Sequence, residues 1–353
     1  MDEIDIKLNN PNILITGGSG FLGQRIVEEF LLDDSPIKPG LVKVFDIKPY
    51  VGEFDDKIEY IKGDVRDTDA VNKACEGIDI VIHAAAIIDW GTKSEKEVLS
   101  INVDGTKNII EACKTNGVKY LVYTSSLDAV FTGKPLINID ESQEYPEKHQ
   151  TIYCESKHLS EVEVMNVNSD QLKTCVLRPS DIYGEADPYH IDALIEMAMS
   201  GFYVRLGNGK SKCQHVYVGN MAYAHVLAAS EMWNGNKNLF GEIFFITDGE
   251  GENFFKFFDQ VVAGAGYKIF PKNLWLPKGL AYTIGSISEL IAVLMRPIKR
   301  YNPKFSRFAV IYTCTDFTFS AKKAEKSFGY KPKYNLDQSL EKTIGFYRKK
   351  KML

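Results

Sequence analysis

The sequence lacks the features that mark nucleic-acid-binding, disulfide-stabilised and repetitive proteins. Its 42 lysines and arginines are outnumbered by 47 aspartates and glutamates, and without a basic stripe we expect no nucleic-acid partner. No internal repeat or low-complexity tract is evident. No signal sequence is evident, and no two cysteines are closely spaced. These features predict reduced thiols in a cytoplasmic protein without a metal site. They are Cys75, Cys113, Cys154, Cys175, Cys213 and Cys314.

A glycine-rich turn is the first informative feature that is present. Residues 16–23 read TGGSGFLG, follow the apolar run 12–15 and precede a helical pattern with one apolar stripe, which is the setting that a dinucleotide-binding turn requires. Gly17 permits the tight turn, Gly20 lets a pyrophosphate approach the backbone, and Gly23 lets helix and strand pack closely. The start of the helix then offers free N–H groups to the phosphates.

The charge that ends the next apolar run predicts which dinucleotide binds. Asp46 follows the run 42–45, where a carboxylate can bind a ribose 2′-hydroxyl and repel a 2′-phosphate. Lys48 would soften that repulsion if it faced the ribose, but a solvated loop lysine is the favoured interpretation. The sequence therefore predicts NAD rather than NADP.

Apolar runs alternate with helical patterns through the first half of the chain. The runs cover residues 12–16, 42–46, 58–61, 79–83, 119–124 and 174–178. Nearly continuous apolar strands separated by helices predict an α/β protein with a doubly wound parallel sheet, covered on both faces. We expect a polar leader over 1–11, a cofactor-binding domain over 12–180, and a smaller mixed substrate-binding lobe over 181–353, from which some segments return to the sheet.

Further candidate cofactor contacts follow the predicted strands, because such sheets bind ligands at the carboxyl ends of their strands. Asp64 and Val65 follow the third run, residues 84–86 (three alanines) the fourth, and Pro179 the sixth. The small alanines would let the dinucleotide lie against the backbone, and Asp64 could accept a hydrogen bond from the adenine amino group. His83 ends a buried strand, and we expect it to be structural.

Residues 153–157, which read YCESK, form a candidate acid/base pair. Tyr153 and Lys157 lie at positions i and i+4 of a helical pattern, so one helix face would present a phenol beside an ammonium. A neighbouring cation stabilises a phenolate, and we expect it to lower the pKa of Tyr153 from about 10. The phenol would then be a usable acid or base near neutral pH. An exposed helical pair would be the favoured interpretation if the dinucleotide motif were absent.

Taken together, these motifs resemble the extended short-chain dehydrogenase/reductases, which have a Rossmann sheet. The matching segments are TGGSGFLG, Asp46, GDVRD at 63–67, HAAA at 83–86, INVDGT at 101–106, YTSS at 123–126, YCESK and LRPSDIYG at 177–184. Within that superfamily, VYVGNMAYAH at 216–225, FTFSAKKA at 317–324 and the apolar segment 280–295 are similar to the 3β-hydroxysteroid dehydrogenase family.

The resemblance implies a role for each matching residue. Tyr153 would be the general base for alcohol oxidation, and Lys157 would bind the nicotinamide ribose and tune Tyr153. Ser126 would hydrogen-bond the substrate oxygen, with Ser125 and Thr124 as alternatives. The residues expected at the cofactor are Gly17, Gly20, Phe21, Leu22, Gly23, Asp46, Asp64, Val65, Ala84, Ala85, Ala86, Asn102, Tyr153, Lys157 and Pro179.

The leading functional hypothesis is NAD-dependent oxidation of a 3β-hydroxyl on a sterol-like substrate. A sterol that carries a 4-carboxylate is a close variant, because oxidation at C3 gives a β-keto acid that loses carbon dioxide. A nucleotide-sugar 4-epimerase and a non-catalytic NAD-sensing protein are the alternatives from other classes. Vertebrate relatives also shift a steroid double bond, and here the matching region 244–250 offers Asp248 but phenylalanines where a phenol would help. Isomerisation is therefore not part of the leading hypothesis.

The apolar segment 280–295 predicts a helix with Leu280, Ile284, Ile287, Ile291 and Leu294 on one stripe. Two interpretations stand beside each other: a helix in a membrane interface, or a core-facing helix that covers the substrate pocket. The cations that follow favour an anionic membrane surface over residues 280–307; they are Arg296, Lys299, Arg300, Lys304 and Arg307. We thus expect a cytoplasmic protein with peripheral membrane association. A homodimer is compatible with the sequence, which does not fix the oligomeric state.

Overall fold

The computed structural model describes residues 10–89, 93–295 and 305–352, so most of the predicted leader lies outside the described residues. The strands are β1 (Asn12–Thr16), β2 (Leu41–Asp46), β3 (Glu59–Lys62), β4 (Ile80–His83), β5 (Tyr120–Thr124), β6 (Leu136–Ile139), β7 (Lys173–Pro179), β8 (Asp181–Tyr183), β9 (Arg205–Leu206), β10 (His215–Tyr217), β11 (Glu242–Ile246), β12 (Trp275–Leu276) and β13 (Phe317–Phe319). The α-helices are α1 (Phe21–Leu31), α2 (Thr68–Cys75), α3 (Glu95–Leu99), α4 (Gly105–Asn116), α5 (Ile152–Asn166), α6 (Ile191–Met199), α7 (Val218–Trp233), α8 (Phe254–Gly264), α9 (Lys278–Met295), α10 (Arg307–Thr313), α11 (Lys322–Phe328) and α12 (Leu336–Met352).

Seven strands form one parallel sheet in the order β11, β7, β5, β4, β1, β2, β3. The chain winds in one direction from β1 to β3 and in the other from β4 to β11, so the switch point lies between β1 and β4. The predicted doubly wound α/β sheet is confirmed. The sequence pattern does not predict β11, because the regular alternation of strands and helices fades beyond residue 180.

Alternation of side chains along β1 explains why helices cover both faces of the sheet. Ile13 and Ile15 pack into the core that includes Ile26 of α1, whereas Leu14 packs into the core that includes Ile109 of α4. Successive residues of a strand point to opposite faces. A strand that is apolar at every position therefore needs a helical layer on each side.

Elements that do not cover the sheet form a second lobe around an aromatic core. Phe257 and Phe258 of α8 pack there with Tyr183 of β8 and Tyr347 of α12. Three short parallel pairs, β8 with β10, β9 with β12, and β6 with β13, hold this lobe together. β6 comes from the first half of the chain and β13 from its end, so this lobe is not one continuous stretch of sequence.

Candidate active site

A cleft of about 550 Å³ opens at the carboxyl ends of the central strands, next to the switch point. It is where a doubly wound sheet binds its ligand. The structure brings almost every predicted site residue to this cleft. Those that line it are Gly17, Gly20, Phe21, Leu22, Gly23, Asp46, Asp64, Val65, Ala84, Ala85, Ala86, Ser126, Tyr153, Lys157 and Pro179.

The glycine turn is packed so closely that side chains are excluded at two positions. Gly17 has a φ of +71°, and a Cβ added there would lie 2.7 Å from the backbone of Ala85. A Cβ on Gly23 would lie 2.0 Å from the carbonyl oxygen of Gly17. A Cβ on Gly20 would approach only that same carbonyl, at 3.1 Å. This backbone surface at the start of α1 fits a dinucleotide pyrophosphate.

Two carboxylates are fixed at the nucleotide end of the cleft. Asp46 accepts hydrogen bonds from the backbone N–H of Ser19 at 3.1 Å and from that of Lys48 at 3.0 Å. Lys48 also lines the cleft, although its side chain is exposed. Asp64 forms a bidentate pair with Arg66, which lowers the pKa of that carboxyl. Both carboxylates keep acceptor capacity for a ribose or an adenine group.

Asn102 is not among the described residues that line the cleft. Its side chain accepts from the backbone N–H of Ile87 at 2.8 Å and donates to the Ile87 carbonyl at 3.0 Å and to Ser156 Oγ at 2.9 Å. It therefore braces the segment after β4 against α5, from behind the wall of the cleft.

The helix α5 presents Tyr153 and Lys157 to the cleft. Thr151 caps its start by accepting the N–H of Cys154 at 3.2 Å, which satisfies an otherwise unpaired donor. A buried ion pair between Glu161 and Arg178, with Nε–Oε1 at 2.8 Å, ties α5 to β7. The position of Tyr153 relative to the sheet is thereby fixed.

The ammonium of Lys157 binds the end of β5. Its Nζ donates to the Thr124 carbonyl at 2.9 Å and to the Tyr123 hydroxyl at 3.4 Å. Burial lowers the pKa of Lys157 to about 8. The pKa of Lys157 therefore lies close to neutral pH, so its ammonium loses a proton more readily than that of an exposed lysine.

The expected lowering of the Tyr153 pKa is wrong for the described structure. Burial and the neighbouring Asp128 carboxylate raise the pKa of Tyr153 well above its usual value, and the nearby Ser126 hydroxyl offsets only part of that rise. The physical reason is that desolvation penalises a buried phenolate more than nearby donors stabilise it. By itself, Tyr153 is a phenol at neutral pH.

The three hydroxyl residues after β5 have different partners. Thr124 Oγ1 lies 2.7 Å from His225 Nε2, and His225 Nδ1 lies 2.8 Å from the Met221 carbonyl. Ser125 Oγ is buried without a hydrogen-bond partner. Ser126 Oγ donates to Asp128 Oδ2 at 2.8 Å and also interacts with Tyr153. This arrangement favours Ser126 as the hydroxyl that acts with Tyr153.

The cleft also contains a polar group that sequence reasoning missed. Its members are Asp128, Asp181, Tyr189, His190 and Tyr312. Although burial opposes it, Asp187, Asp181 and Asp128 raise the pKa of His190 to about 9. Tyr312 donates to Asp181. Asp181 falls inside the LRPSDIYG motif, which was the one available signal. The other members belong to no such motif: Asp128 and Tyr312 are distant in sequence, and Tyr189 and His190 are neighbours just beyond it.

A buried row of side chains lies behind Asp181. Cys213 Sγ is 3.5 Å from His215 Nε2, and Asp181 Oδ2 is 3.8 Å from His215 Nδ1. The atoms of these three side chains that could bind a metal lie within 4.8 Å of one another. This spacing is suitable for metal ligands, and the sequence did not predict it. Each neighbour faces a different ring nitrogen, however, so the geometry suits a row of polar contacts better than one shared ion.

Two further residues considered from the sequence are held by the protein itself. His83 lies between Thr16 Oγ1 at 2.7 Å and Thr106 Oγ1 at 3.0 Å, and burial lowers its pKa to about 3. Asp248 accepts from the backbone N–H of Tyr217 at 2.7 Å and is not among the described residues lining the cleft. Both side chains are held by hydrogen bonds within the protein, as expected for structural residues.

The apolar stripe of α9 points to solvent. Leu280, Ile284, Ile287, Ile291 and Leu294 are all exposed, by 41 to 67%. The buried residues of α9 are small: Ala281, Gly285 and Ala292. The helix is long and apolar enough to cross a membrane, by length and composition alone. The core-facing interpretation of the stripe is therefore wrong, and no described residue of α9 lines the cleft.

The cationic edge expected after α9 is described only at Arg307. Its Nε lies 2.6 Å from Glu289 Oε2, and its backbone N–H donates to Glu289 Oε1 at 2.7 Å. Arg307 therefore joins α10 to α9 by an ion pair. The remaining predicted cations, Arg296, Lys299, Arg300 and Lys304, lie outside the described residues.

Solved structures share this fold over nearly the whole chain. One is a UDP-glucose 4-epimerase from Thermotoga maritima, crystallised with UDP-glucose, with a TM-score of 0.73, 20% identity, and coverage of 96% of this chain and 99% of that one. Another is the dTDP-glucose 4,6-dehydratase DesIV from Streptomyces venezuelae with NAD and TYD bound, with a TM-score of 0.74, 19% identity, and coverage of 97% and 98%. They confirm the predicted doubly wound α/β (Rossmann) fold.

Sequence comparisons place the chain more closely. It matches the model of the 3-beta hydroxysteroid dehydrogenase/isomerase family over residues 14–277. It is 33% identical over 348 residues to 3 beta-hydroxysteroid dehydrogenase type 7 from Homo sapiens, covering 94% of both chains. It is 30% identical over 338 residues to sterol-4-alpha-carboxylate 3-dehydrogenase erg26, decarboxylating, from Schizosaccharomyces pombe, covering 95% of this chain and 97% of that protein. The resemblance seen in the sequence is confirmed, and the chain belongs to the 3-beta hydroxysteroid dehydrogenase/isomerase family, whose members are oxidoreductases of the short-chain dehydrogenase/reductase type.

Proposed function

We propose that the protein oxidises a secondary alcohol, the 3β-hydroxyl of a sterol-like apolar substrate, with NAD as cofactor. The observation that carries the proposal is the presence of Ser126, Tyr153 and Lys157 in one cleft together with the glycine turn and Asp46. A dehydrogenase needs both a dinucleotide site and a proton-transfer group beside it.

Different residues of the chain bind the cofactor and transfer the proton of the substrate. Bound oxidised NAD would accept the hydride and bring a cationic ring that favours a phenolate nearby. Tyr153 takes the proton of the substrate hydroxyl, and Ser126 contacts the oxygen on which charge develops. Lys157, held by the Thr124 carbonyl, binds the nicotinamide ribose.

Asp46 supports NAD as the preferred nucleotide. Its carboxylate is held by two backbone N–H groups at the wall of the cleft. A 2′-phosphate placed there would meet a fixed negative charge, whereas a 2′-hydroxyl would find an acceptor. Lys48, whose side chain is exposed, offsets little of that charge.

A sterol 4-carboxylate is the second candidate substrate, because the Schizosaccharomyces pombe relative is named for that activity. Oxidation at C3 would then generate a β-keto acid, and carbon dioxide would leave without a second active site. A nucleotide-sugar epimerase shares the fold, but the two sequence relatives, which are more similar to this chain, are named for steroid and sterol dehydrogenation.

The same helix supports peripheral attachment of the protein to a membrane. Nine large apolar side chains between Leu280 and Met295 are exposed, and an exposed apolar patch of this kind marks an interaction site. Burial of this face in the interface would hold the protein at a membrane, where sterol-like substrates dissolve.

One experiment separates these functions. Purified protein is incubated with NAD and, in parallel, with 3β-hydroxysteroids, 4-carboxysterols and UDP-sugars, while NADH absorbance and released carbon dioxide are measured. Reduction of NAD by a 3β-hydroxysteroid is the expected result, and carbon dioxide release in the second arm would identify the carboxylated substrate. Conversion of UDP-sugars without net NADH, and no reaction with sterols, would overturn the proposal.

A further inference from the structure

Two segments that precede α9 carry positive charge and no negative charge. Residues 197–217 and 260–288 contain no aspartate or glutamate, although the chain as a whole has more acidic residues (47) than lysines and arginines (42). A local excess of one charge, opposite to the net charge of the chain, indicates a surface that attracts the other charge. Four exposed lysines of these segments are named the basic surface here: Lys210, Lys268, Lys272 and Lys278.

Backbone hydrogen bonds hold the two segments side by side. Three N–H groups of the first segment donate to carbonyls of the second: Tyr203 to Phe270 at 2.7 Å, Arg205 to Leu274 at 3.1 Å and Gly207 to Leu276 at 2.8 Å. The pairing of β9 with β12 is the centre of this contact. Because β12 ends at Leu276 and α9 begins at Lys278, the paired segments lead directly into the helix that has the exposed apolar face.

Exposed apolar side chains accompany these lysines. Met199, Phe202 and Phe270 are exposed by 70, 58 and 55%, and the hydrogen bond from Tyr203 to Phe270 joins the two loops that carry them. Lys268 Nζ lies 5.9 Å from the centre of the Phe270 ring. Exposed phenylalanines beside lysines suit the interface of a bilayer, where apolar groups are buried and ammonium groups contact anionic headgroups.

The protein does not neutralise the charge of the basic surface. Asp259, which directly precedes the second segment, pairs with the buried Arg205 at 2.7 Å. Lys278 Nζ donates to the uncharged Cys314 carbonyl at 3.5 Å. Within the described part of the chain, no carboxylate forms an ion pair with any of the four lysines. A fifth exposed lysine, Lys212, is not included, because its backbone N–H donates to the Asp316 carboxylate.

We propose that the basic surface binds the anionic headgroups of a bilayer beside the apolar contact made by α9. The inference rests on the proposed membrane attachment and names the residues that supply its electrostatic part. Each lysine close to an anionic bilayer strengthens binding by about fivefold. Four lysines without carboxylate partners therefore make attachment depend on anionic lipid, whereas the apolar face of α9 alone would bind charged and neutral bilayers alike.

The test uses the full-length protein and vesicles of phosphatidylcholine, with and without phosphatidylserine. The variant with Lys210→Gln, Lys268→Gln, Lys272→Gln and Lys278→Gln should partition onto the phosphatidylserine vesicles by roughly 100-fold less than the parent. Its partition onto pure phosphatidylcholine should stay within about twofold, because no anionic lipid is present. Melting temperature and NAD affinity should match those of the parent.

The matched control makes the same change in net charge at exposed lysines elsewhere in the chain. It carries Lys57→Gln, Lys107→Gln, Lys114→Gln and Lys331→Gln. Its partition onto phosphatidylserine vesicles should fall by less than about threefold, because the attraction of a cation to the surface decays within a Debye length. A loss in the control as large as that in the first variant would overturn the assignment of the basic surface.

Salt dependence is a second measurement, and a loss of apolar contact would not reproduce it. Parent binding to phosphatidylserine vesicles should fall steeply with sodium chloride, and binding of the first variant should change little. Equal partition and equal salt dependence in parent and variant would overturn the inference, and so would an equal loss on both kinds of vesicle. A parent that binds neither kind would instead defeat the proposed membrane attachment, while NADH formation from a soluble 3β-hydroxysteroid tests the dehydrogenase function separately.

Discussion

Tyr153 is a buried side chain whose chemistry depends on its neighbours. The Asp128 carboxylate and the loss of water both raise its pKa, whereas Ser126 lowers it. Lys157 donates hydrogen bonds to the Thr124 carbonyl and the Tyr123 hydroxyl. Its ammonium therefore interacts with those oxygens as well as with the cleft. At the residue scale, the site therefore consists of several coupled groups, and single substitutions should separate binding from proton transfer.

Removal of the Tyr153 hydroxyl should abolish proton transfer and little else. We expect Tyr153→Phe to reduce turnover by roughly 100-fold or more, with NAD affinity and melting temperature close to those of the parent, because the ring still fills its buried position. Steady-state kinetics with a 3β-hydroxysteroid, together with NAD titration, measure both effects. Equal turnover in mutant and parent would remove Tyr153 from the mechanism.

Lys157 should contribute to both binding and rate. Lys157→Met keeps the apolar stem and removes the ammonium, so we expect weaker NAD binding and slower turnover together. Fluorescence titration with NAD and single-turnover kinetics separate the two quantities. Unchanged NAD affinity would refute the ribose-binding role.

Asp46 should determine nucleotide preference. Asp46→Ala removes a fixed carboxylate that is held by the N–H groups of Ser19 and Lys48. We expect the parent to bind NAD more tightly than NADP and the variant to narrow that difference, since the repulsion of a 2′-phosphate is lost. Dissociation constants for both nucleotides test this, and a parent that prefers NADP would contradict it.

At the scale of the element, α9 departs from the usual behaviour of an amphipathic helix. Its small residues face the protein, where a Cβ on Gly285 would lie 2.9 Å from the Ser306 backbone. Its large apolar residues face outward. A helix with this arrangement gains little from burial in its own fold, and an exposed apolar face of this kind marks an interaction site.

Replacing the outward isoleucines of α9 should detach the protein from membranes. We expect the triple substitution of Ile284, Ile287 and Ile291 by Ser to reduce co-sedimentation with anionic liposomes by roughly 10-fold or more and to raise KM for sterols, with NAD affinity unchanged. Parent binding should weaken with added salt, because charge attraction is screened.

The matched control for α9 is Ile137→Ser, an exposed isoleucine on β6. It removes an exposed apolar side chain from a different part of the molecule and should leave liposome binding unchanged. A triple variant that binds liposomes and oxidises sterols as the parent does would show that α9 is not the membrane-binding element.

At the scale of the whole molecule, Asp248 joins three distant segments. It follows β11, accepts from Tyr217 N and Asn220 Nδ2 at the start of α7, and accepts from the Tyr330 hydroxyl beyond α11. Burial raises the pKa of Asp248 to about 7. Between about pH 4 and pH 7 this carboxyl is therefore protonated in the folded protein and ionised in the unfolded chain.

This proton should make folding stability depend on pH. Because the pKa of Asp248 is higher in the folded state, its contribution to the free energy of unfolding is complete below about pH 4. That contribution falls by at most about 1.4 kcal/mol per pH unit and is lost as the pH rises to about 7. Asp248→Asn keeps a neutral acceptor for both N–H donors, so its free energy of unfolding should lack this component. Urea denaturation at pH 5, 6, 7 and 8 measures the difference between variant and parent. Asp337→Asn, at an exposed position, is the control, and parallel curves for Asp248→Asn and the parent would contradict the prediction.

The sequence by itself determined the sheet, the nucleotide turn and the Tyr153–Lys157 pair. Each is encoded over a few neighbouring residues: apolar runs for the strands, glycines where a Cβ would clash, and a spacing of one helical turn for the pair. Six of the seven sheet strands follow from such runs. The seventh, β11, does not, because a short apolar run without regular neighbours gives no sign of its pairing with β7.

Tertiary structure alone decided the environment of those residues. Asp128, Asp181, His190 and Tyr312 meet in one cleft although they come from well-separated positions in the chain, and no local pattern records such a meeting. The direction of the Tyr153 pKa shift depends on burial and on the Asp128 carboxylate, and both are set by the packing of α5 against the end of β5. The outward orientation of α9 was also open in the sequence. An apolar stripe indicates a surface that avoids water, but it does not tell whether the protein itself or a surface outside it covers the stripe.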